Sequence, residues 1–289
     1  VDRRLLTLVL GVGHTVDSWG AILYKPPTMT DLVNYRVDEG VALLTLTNPP
    51  ANAYSYEMMQ ALDTCILRAR MDDNAHVIVL TGSGEKFFCA GADIAMLGDV
   101  TSSFKYYFCL HANETLNRLQ QTPKLVIAAL NGHTVGGGME VAMAADLRVA
   151  KEGGGKMGLP EVSLGVLPGT GGTQRLARLV GQSKAIELMA TGENFDFNRA
   201  EQLGLVNSVL PADNFMQEVM KYARKFVPPH RASRSVGSIK RAVCSGLEMS
   251  FGEGLALERE LQQQLFMSED AREGISAYVE KRRPEFKGR

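Results

Sequence analysis

Two isolated glutamates are the residues of this sequence best suited to acid–base chemistry. Glu140 is the only charged side chain within residues 125–145, and Glu161 is the only one within residues 157–174. Burial among apolar residues is costly for a carboxylate and raises its pKa towards neutrality, which a general acid or base requires at pH 7. A carboxylate that caps a helix or accepts backbone N–H groups is the alternative explanation for each glutamate, and the residues alone leave both open.

Glycine is concentrated around these glutamates. It supplies 29 of the 289 residues, and twelve of them fall between Gly132 and Gly172. A predicted strand that ends at Leu130 is followed by the triple glycine 136–138 and an apolar helical run, so backbone N–H groups are exposed at the start of a helix. The loop before Asp93 offers a second set, with Asp93 as the cap of the next helix. Such groups attract a phosphate or a developing oxyanion, whereas close helix–strand packing is the alternative reason for the glycines.

Composition and charge exclude several classes of protein. Hydrophobic residues make up 45% of the chain and charged residues 22%, so the chain can bury a core and is not disordered. The 31 basic and 32 acidic side chains nearly cancel, which gives no electrostatic reason to expect nucleic acid or an anionic membrane as a partner. The early apolar run Leu5–Gly13 is too short to span a bilayer.

The four cysteines predict neither a metal site nor a redox motif. Cys65, Cys89, Cys109 and Cys244 are widely spaced and form no C-x-x-C pair. Unpaired cysteines suit a reducing compartment, so we expect a cytoplasmic protein, with an organelle matrix as the compatible alternative.

Strand and helix patterns alternate from Tyr35 onwards, which predicts an α/β fold. The runs Val41–Thr47, His76–Thr81 and Lys124–Leu130 are apolar and rich in β-branched residues or leucine. Continuous runs of this kind suit a sheet that helices cover on both faces. Ser55 is placed to cap a helix between the first two strands.

The chain is expected to have three parts. Residues 1–28 precede the regular pattern and are interpreted as an N-terminal extension, residues 29–228 as the α/β core, and residues 229–289 as a helical region. Two apolar stripes recur at helical spacing in the last part. These helices need a surface to pack on, either within their own chain or on a neighbouring subunit.

Three long motifs follow one another in the middle of the chain. They are Phe88–Ile94 (FCAGADI), Asn131–Glu140 (NGHTVGGGME) and Gly158–Arg175 (GLPEVSLGVLPGTGGTQR). Their order and content resemble the enoyl-CoA hydratase/isomerase, or crotonase, superfamily, over nearly everything after Met29. The resemblance implies a crotonase-like α/β fold, a spiral of repeated ββα units. It also implies a C-terminal helical region that mediates assembly into a homotrimer or a dimer of trimers.

The resemblance further implies a site for an acyl-CoA thioester. The backbone N–H groups of Ala92 and Gly137 are expected to form an oxyanion hole for the thioester carbonyl. Both glutamates of the hydratase branch have counterparts in this sequence. Glu140 is expected to activate a water molecule, and Glu161 is expected to donate a proton to carbon C2 of the acyl chain. The acyl-CoA itself is expected to bind at Ala51, Ala53, Ala90, Asp93, Ile94, Gly136, Pro160, Leu167 and Gly169.

The implied reaction is reversible syn addition of water across the C2–C3 double bond of a trans-2-enoyl-CoA, in fatty-acid or branched-chain acyl-CoA metabolism. Coenzyme A is part of the substrate, so neither a separate cofactor nor a metal is expected. An isomerase that moves the double bond and a dehydratase of a branched 3-hydroxyacyl-CoA are the alternatives within the fold. A non-catalytic member that binds CoA or RNA is the alternative of another class, which the two glutamates and the near-neutral charge disfavour.

Two positions depart from the family pattern. Where that pattern reads Lys-Ala-Leu-Asn-Ala-Leu, this chain has Pro50-Ala-Asn-Ala-Tyr54, and Ala95 stands where some hydratases have lysine. Two cations expected near the CoA phosphates are thus missing, and the basic tail Lys281–Arg289 is either their substitute or a solvated tail. Tyr54 is expected at the entrance to the acyl pocket, and His133 is assigned no role.

Overall fold

The structure is a computed structural model that describes residues 32–289, apart from the side chain of Ala95. The predicted extension 1–28 lies outside this part. The strands are β1 Val33–Asp38, β2 Val41–Leu46, β3 Val77–Gly82, β4 Phe87–Cys89, β5 Leu125–Leu130, β6 His133–Val135, β7 Leu147–Lys151, β8 Lys156–Gly158, β9 Phe195–Asp196 and β10 Ser208–Leu210. The helices are α1 Tyr56–Met71, α2 Ile94–Asp99, α3 Ser102–Gln120, α4 Gly137–Met143, α5 Gly172–Val180, α6 Gln182–Thr191, α7 Phe197–Gln202, α8 Phe215–Arg224, α9 Ser233–Gly246, α10 Phe251–Phe266 and α11 Glu269–Glu280, with a 3₁₀ helix at Pro160–Leu164.

The strands form two sheets. The larger has six strands in the order β1-β2-β3-β5-β7-β10, and the smaller has four in the order β4-β6-β8-β9. From β2 to β10 every neighbouring pair in the large sheet is parallel, while β1 is antiparallel to β2. The mixed α/β architecture agrees with the predicted fold class.

Three successive ββα units connect the two sheets. In each unit the first strand joins the large sheet, the second joins the small sheet, and a helix follows; these strand pairs are β3 with β4, β5 with β6, and β7 with β8. The loops after β4, β6 and β8 therefore lie side by side, because these three strands are parallel neighbours in the small sheet.

Helices cover both faces of the large sheet, as the continuous apolar strands predict. Alternate strand residues face opposite sides. Ile78 belongs to the apolar cluster that contains Leu62 of α1, whereas Val79 belongs to the cluster that contains Val219 of α8. All four side chains are at most 1% exposed.

The three predicted strands are confirmed to within one residue at each end, as β2, β3 and β5. The predicted cap of α1 is confirmed as well, because the Ser55 hydroxyl accepts the N–H of Met58 at 3.3 Å. Asp93 caps α2 in the same way, with its Oδ1 accepting the N–H of Met96 at 3.4 Å.

The C-terminal region contains three helices rather than the two apolar stripes that sequence periodicity indicated. Helix α9 is anchored to the core by a buried ion pair, in which Lys240 Nζ lies 2.8 Å from Asp146 Oδ2. Gly237 of α9 allows close packing, since a Cβ there would lie only 2.2 Å from the carbonyl oxygen of Pro123.

The basic tail 281–289 folds back on α11. Asp270 accepts the N–H groups of Lys287 and Gly288 at 2.7 and 2.8 Å. Two tail arginines form ion pairs with α11, Arg282 at 2.6 Å and Arg289 at 3.1 Å. The tail is thus held against α11 by hydrogen bonds and ion pairs, while its five basic side chains remain exposed to solvent. In the same described part of the chain, no helix is both long and apolar enough to cross a membrane.

Candidate active site

Glu140 lies on the inward face of α4 and is 2% exposed. Its Oε1 accepts the backbone N–H groups of Thr170 and Gly172, each at 2.7 Å, from the segment that leads into α5. Residue 172 has to be glycine for this approach, because a Cβ there would lie 2.9 Å from Oε1. The carboxylate is thus both buried and held in one orientation.

Glu161 lies in the 3₁₀ helix after β8. Within residues 32–289 its Oε2 is buried and has no hydrogen-bond partner. Both glutamates line one cavity of about 310 Å³, so the structure brings together two side chains that are 21 positions apart in the sequence. The Glu161 carboxylate thus lines the cavity with one oxygen that no described protein group holds by a hydrogen bond.

The two carboxylates have different electrostatic environments. Burial raises the pKa of Glu161 to about 7, and the nearby charge of Glu140 adds to the rise. Burial also raises the pKa of Glu140, but the N–H donors of Gly172 and Thr170 oppose this rise. Hydrogen bonds to the charged form favour ionisation, so the donors to Glu140 favour its carboxylate, whereas a pKa of about 7 allows Glu161 to carry a proton near neutral pH.

Two backbone N–H groups border the same cavity. Gly137 is the first residue of α4, so its N–H has no acceptor within the helix. Ala92 forms a parallel bridge with Tyr54, in which the neighbouring Gly91 and Asp93 make the two hydrogen bonds. The N–H of Ala92 therefore points away from Tyr54.

Two glycines bring these donors together. Gly91 has φ +93°, and a Cβ there would lie 2.9 Å from the amide nitrogen of Gly137. Gly136 has φ +56°, and a Cβ there would lie 3.1 Å from Glu161 Oε1. Side chains at these positions would both strain the backbone and separate the groups that line the cavity.

Ten of the thirteen predicted site residues line the cavity. They are Ala90, Ala92, Ile94, Gly136, Gly137, Glu140, Pro160, Glu161, Leu167 and Gly169. Ala51, Ala53 and Asp93 do not line it. The carbonyl of Ala51 accepts the N–H of Ala90 at 3.0 Å, so Ala51 supports a lining residue; the carbonyl of Ala53 accepts the Asn48 side chain, and Asp93 caps α2.

Nine further lining residues were not among the predicted site residues, and Tyr54, Thr170 and Lys105 are the polar side chains outside the 3₁₀ helix. Tyr54 is 3% exposed and packs against Gly137, so its predicted position at the entrance is wrong. Thr170 and Lys105 also line the cavity. Thr170 lies within the third motif, so membership of that motif could have identified it as a site residue. Lys105 belongs to α3 and to none of the motifs, so nothing in the sequence indicated such a role for it.

His133 has a structural explanation. Its Nδ1 accepts the N–H of Lys156 at 3.1 Å, and its ring packs on that of Phe87. Among the described residues, no group of three or more His, Cys, Asp or Glu side chains is placed to hold a metal ion.

Comparisons with known proteins identify what this chain resembles. The family model described as enoyl-CoA hydratase/isomerase matches residues 36–289. A probable enoyl-CoA hydratase of Bacillus subtilis is 38% identical over 261 residues, which is 89% of this chain and 98% of that protein. A short-chain-enoyl-CoA hydratase of Clostridium acetobutylicum is 38% identical over 86% of this chain and 95% of its own. The crystal structure of an enoyl-CoA hydratase from Bacillus anthracis superposes with a TM-score of 0.85 at 32% identity, covering 90% of this chain and all of that chain.

Proposed function

Because the chain belongs to the enoyl-CoA hydratase/isomerase family, we propose that it hydrates a trans-2-enoyl-CoA by reversible syn addition of water across the C2–C3 double bond. The similar proteins support a hydro-lyase of the enoyl-CoA hydratase type acting on an acyl-CoA thioester. In the reverse direction the same enzyme dehydrates a 3-hydroxyacyl-CoA.

One observation carries this proposal: two glutamates with different hydrogen-bond environments line the same cavity as two backbone N–H groups. An isolated acid–base pair would serve many reactions. The additional N–H groups of Ala92 and Gly137 are suited to a carbonyl oxygen that gains negative charge, as a thioester does when a nucleophile adds to C3.

The proposed mechanism assigns one role to each group. The Glu140 carboxylate takes a proton from water as the water oxygen bonds to C3, and the electron pair of the double bond moves towards the thioester oxygen. Ala92 and Gly137 donate hydrogen bonds to that oxygen. Glu161, in its acid form, then protonates C2, and proton exchange with solvent returns both carboxyl groups to their starting states.

Substitution of each glutamate by glutamine tests the proposal. With crotonyl-CoA as substrate, loss of the conjugated thioester absorbance measures hydration. Glu140→Gln and Glu161→Gln should each lower kcat by about 10²- to 10⁴-fold, because each removes a proton-transfer group. The exposed Glu218→Gln serves as the matched control and should keep the wild-type rate.

Two results would contradict these assignments. A wild-type rate in either active-site variant removes that glutamate from the mechanism. Conversion of a 3-enoyl-CoA without hydration of crotonyl-CoA would instead identify a double-bond isomerase.

The CoA moiety is proposed to lie on the Ala51, Ala53 and Ala90 side of the cavity, with Asp93 fixing the loop. The hydrogen bond between Ala51 and Ala90 supports this position, since it joins the two segments into one backbone surface. Mass spectrometry after photocrosslinking with a CoA analogue should find adducts in these segments.

A homotrimer or a dimer of trimers is the proposed assembly, and the cytoplasm the proposed location. Exposed apolar residues in the segment from α9 to α10, among them Leu247 and Phe251, support the first. Cysteines without disulfide bonds support the second, because they suit a reducing compartment.

A further inference from the structure

Tyr54 contacts both loops that supply the backbone N–H groups of the cavity. Its own N–H donates to the carbonyl of Gly91 at 2.8 Å, and its carbonyl accepts the N–H of Asp93 at 3.0 Å. Its side chain packs on Gly137, where an added Cβ would lie 2.2 Å from Tyr54 Oη. The phenol is therefore fixed inside the cavity wall, and only 3% of the residue is exposed.

The hydroxyl of Tyr54 meets a second buried hydroxyl. Tyr54 Oη lies 3.2 Å from Thr170 Oγ1, and Thr170 is 4% exposed. A buried phenol needs a hydrogen-bond partner, and a threonine hydroxyl can accept one bond while it donates another.

Thr170 in turn holds the Glu140 carboxylate. Its backbone N–H donates to Oε1 at 2.7 Å, and this hydrogen bond lowers the pKa of Glu140 against the effect of burial. A continuous set of contacts thus runs from the phenol through Thr170 to the carboxylate. It joins residues that are 116 positions apart in the sequence.

We propose that Tyr54 and Thr170 are positioning residues that form a relay, in which the hydrogen bond between their hydroxyl groups fixes the segment that holds the Glu140 carboxylate in its reactive orientation. The backbone N–H of Thr170 makes the final contact of this relay, with Glu140 Oε1. Tyr54 stands at the last position of the loop where the family pattern has leucine, which has no hydroxyl to make such a contact. The inference rests on the proposed role of Glu140 as the group that activates water.

Other ionisable groups surround Glu140, so they have to stay constant when the pKa of Glu140 is compared between variants. Glu161 faces it across the cavity, and Arg175 of α5 lowers its pKa. The buried thiol of Cys89 lies on β4 beside Gly138 of α4. The variants described next leave all of these groups unchanged.

Removal of each hydroxyl tests the relay. Tyr54→Phe and Thr170→Val should each lower kcat for crotonyl-CoA about five- to tenfold, the effect of one lost hydrogen bond, and leave KM close to wild type. The double variant should lose about as much as either single variant, because both substitutions break the same relay.

The pH profile of kcat distinguishes a positioning role of Tyr54 and Thr170 from a role in packing alone. Loss of the relay raises the pKa of Glu140, so the acid limb of the kcat profile should move to higher pH in both variants. Thr170→Ser, which keeps the hydroxyl, should restore the wild-type profile. Tyr35→Phe is the matched control, since it removes a tyrosine hydroxyl that is bonded to Asp72 at 2.8 Å outside the cavity.

Wild-type kcat and pH dependence in Tyr54→Phe would overturn the inference, as would losses that simply add in the double variant. If Tyr54→Phe does not fold, as judged by circular dichroism, the contrast between Thr170→Val and Thr170→Ser decides. Inactive Glu140→Gln together with unaffected relay variants would leave the proposed function standing and reject the relay alone.

Discussion

Glu140 and Glu161 differ in the hydrogen bonds that their carboxylate oxygens accept, and this difference determines their chemistry. Two N–H groups end on Glu140 Oε1, while Glu161 Oε2 is buried without a partner in the described part of the chain. A lone glutamate in an apolar segment allowed two interpretations, a proton-transfer group or an acceptor of backbone N–H groups. For Glu140 both apply, because it lines the cavity and also accepts two backbone N–H groups, which oppose the rise in its pKa on burial.

Hydration should decrease as the pH rises through about 7, the value to which burial raises the pKa of Glu161. The reason is that the proposed proton donor must carry its proton. A kcat profile measured with crotonyl-CoA tests this, and a rate that stays constant from about pH 6 to about pH 9 would contradict it.

The same ionisation should affect stability. The folded-state pKa of Glu161, about 7, lies above the ordinary value of 4.5, so the folded state holds the proton more tightly than the unfolded chain does. The wild type should therefore lose stability relative to Glu161→Gln as the pH rises from 4.5 to about 7. Thermal unfolding of both proteins over this range tests the sign, and a constant difference in Tm would contradict it.

At the scale of elements, the buried ion pair between α9 and the core should be sensitive to substitution. The side chains of Lys240 and Asp146 are 5% and 13% exposed, and Asp146 Oδ2 also accepts the N–H of Val126 at 2.7 Å. Lys240→Met leaves a buried carboxylate without its cation and should lower the free energy of unfolding by about 3 to 5 kcal/mol.

Denaturant unfolding measures this loss. Addition of Asp146→Asn to Lys240→Met should recover much of it, because asparagine keeps an acceptor for Val126 without a charge. Lys221→Met, which breaks an exposed pair with Glu218, should cost less than about 1 kcal/mol. Equal losses from the two lysine substitutions would show that burial of the pair has no special effect.

Whether a strand could be predicted from the sequence depended on its length. Strands β3 and β5 have six buried residues each, and such apolar runs are distinctive. Strands β4, β6 and β8 have three residues each, too few to show an alternation, so the small sheet was not predicted from periodicity. Thr170 could not be placed beside Tyr54 either, because only the packing of α5 against α4 brings the two together.

For the whole molecule, the apolar surface of the C-terminal helices bears on the proposed assembly. Leu247 is 79% and Phe251 is 83% exposed, and a cleft of about 650 Å³ between α9 and the core is lined by apolar residues that include Ile239 and Val243. Contiguous exposed apolar side chains of this kind mark interaction surfaces.

If the chain forms the proposed homotrimer or dimer of trimers, light scattering should give three or six times the chain mass of 31.5 kDa. Phe251→Asp should lower that mass, since it places a charge on the apolar surface. Met71→Asp, at a 76% exposed methionine of α1, is the matched control and should leave the mass unchanged. A monomeric wild type would reject the proposed assembly.

The repetition of the ββα unit has a consequence for how this chemistry can change. Ala92, Gly137 and Glu161 each follow the strand that their unit places in the small sheet, and Glu140 lies on the helix that Gly137 begins. A substitution of Glu161 alone therefore changes the group of one unit while the other two units keep the oxyanion donors and Glu140. Glu161 can thus be replaced while the N–H groups of Ala92 and Gly137 stay in place. Substitutions in single loops of an unchanged scaffold therefore make new reactions accessible.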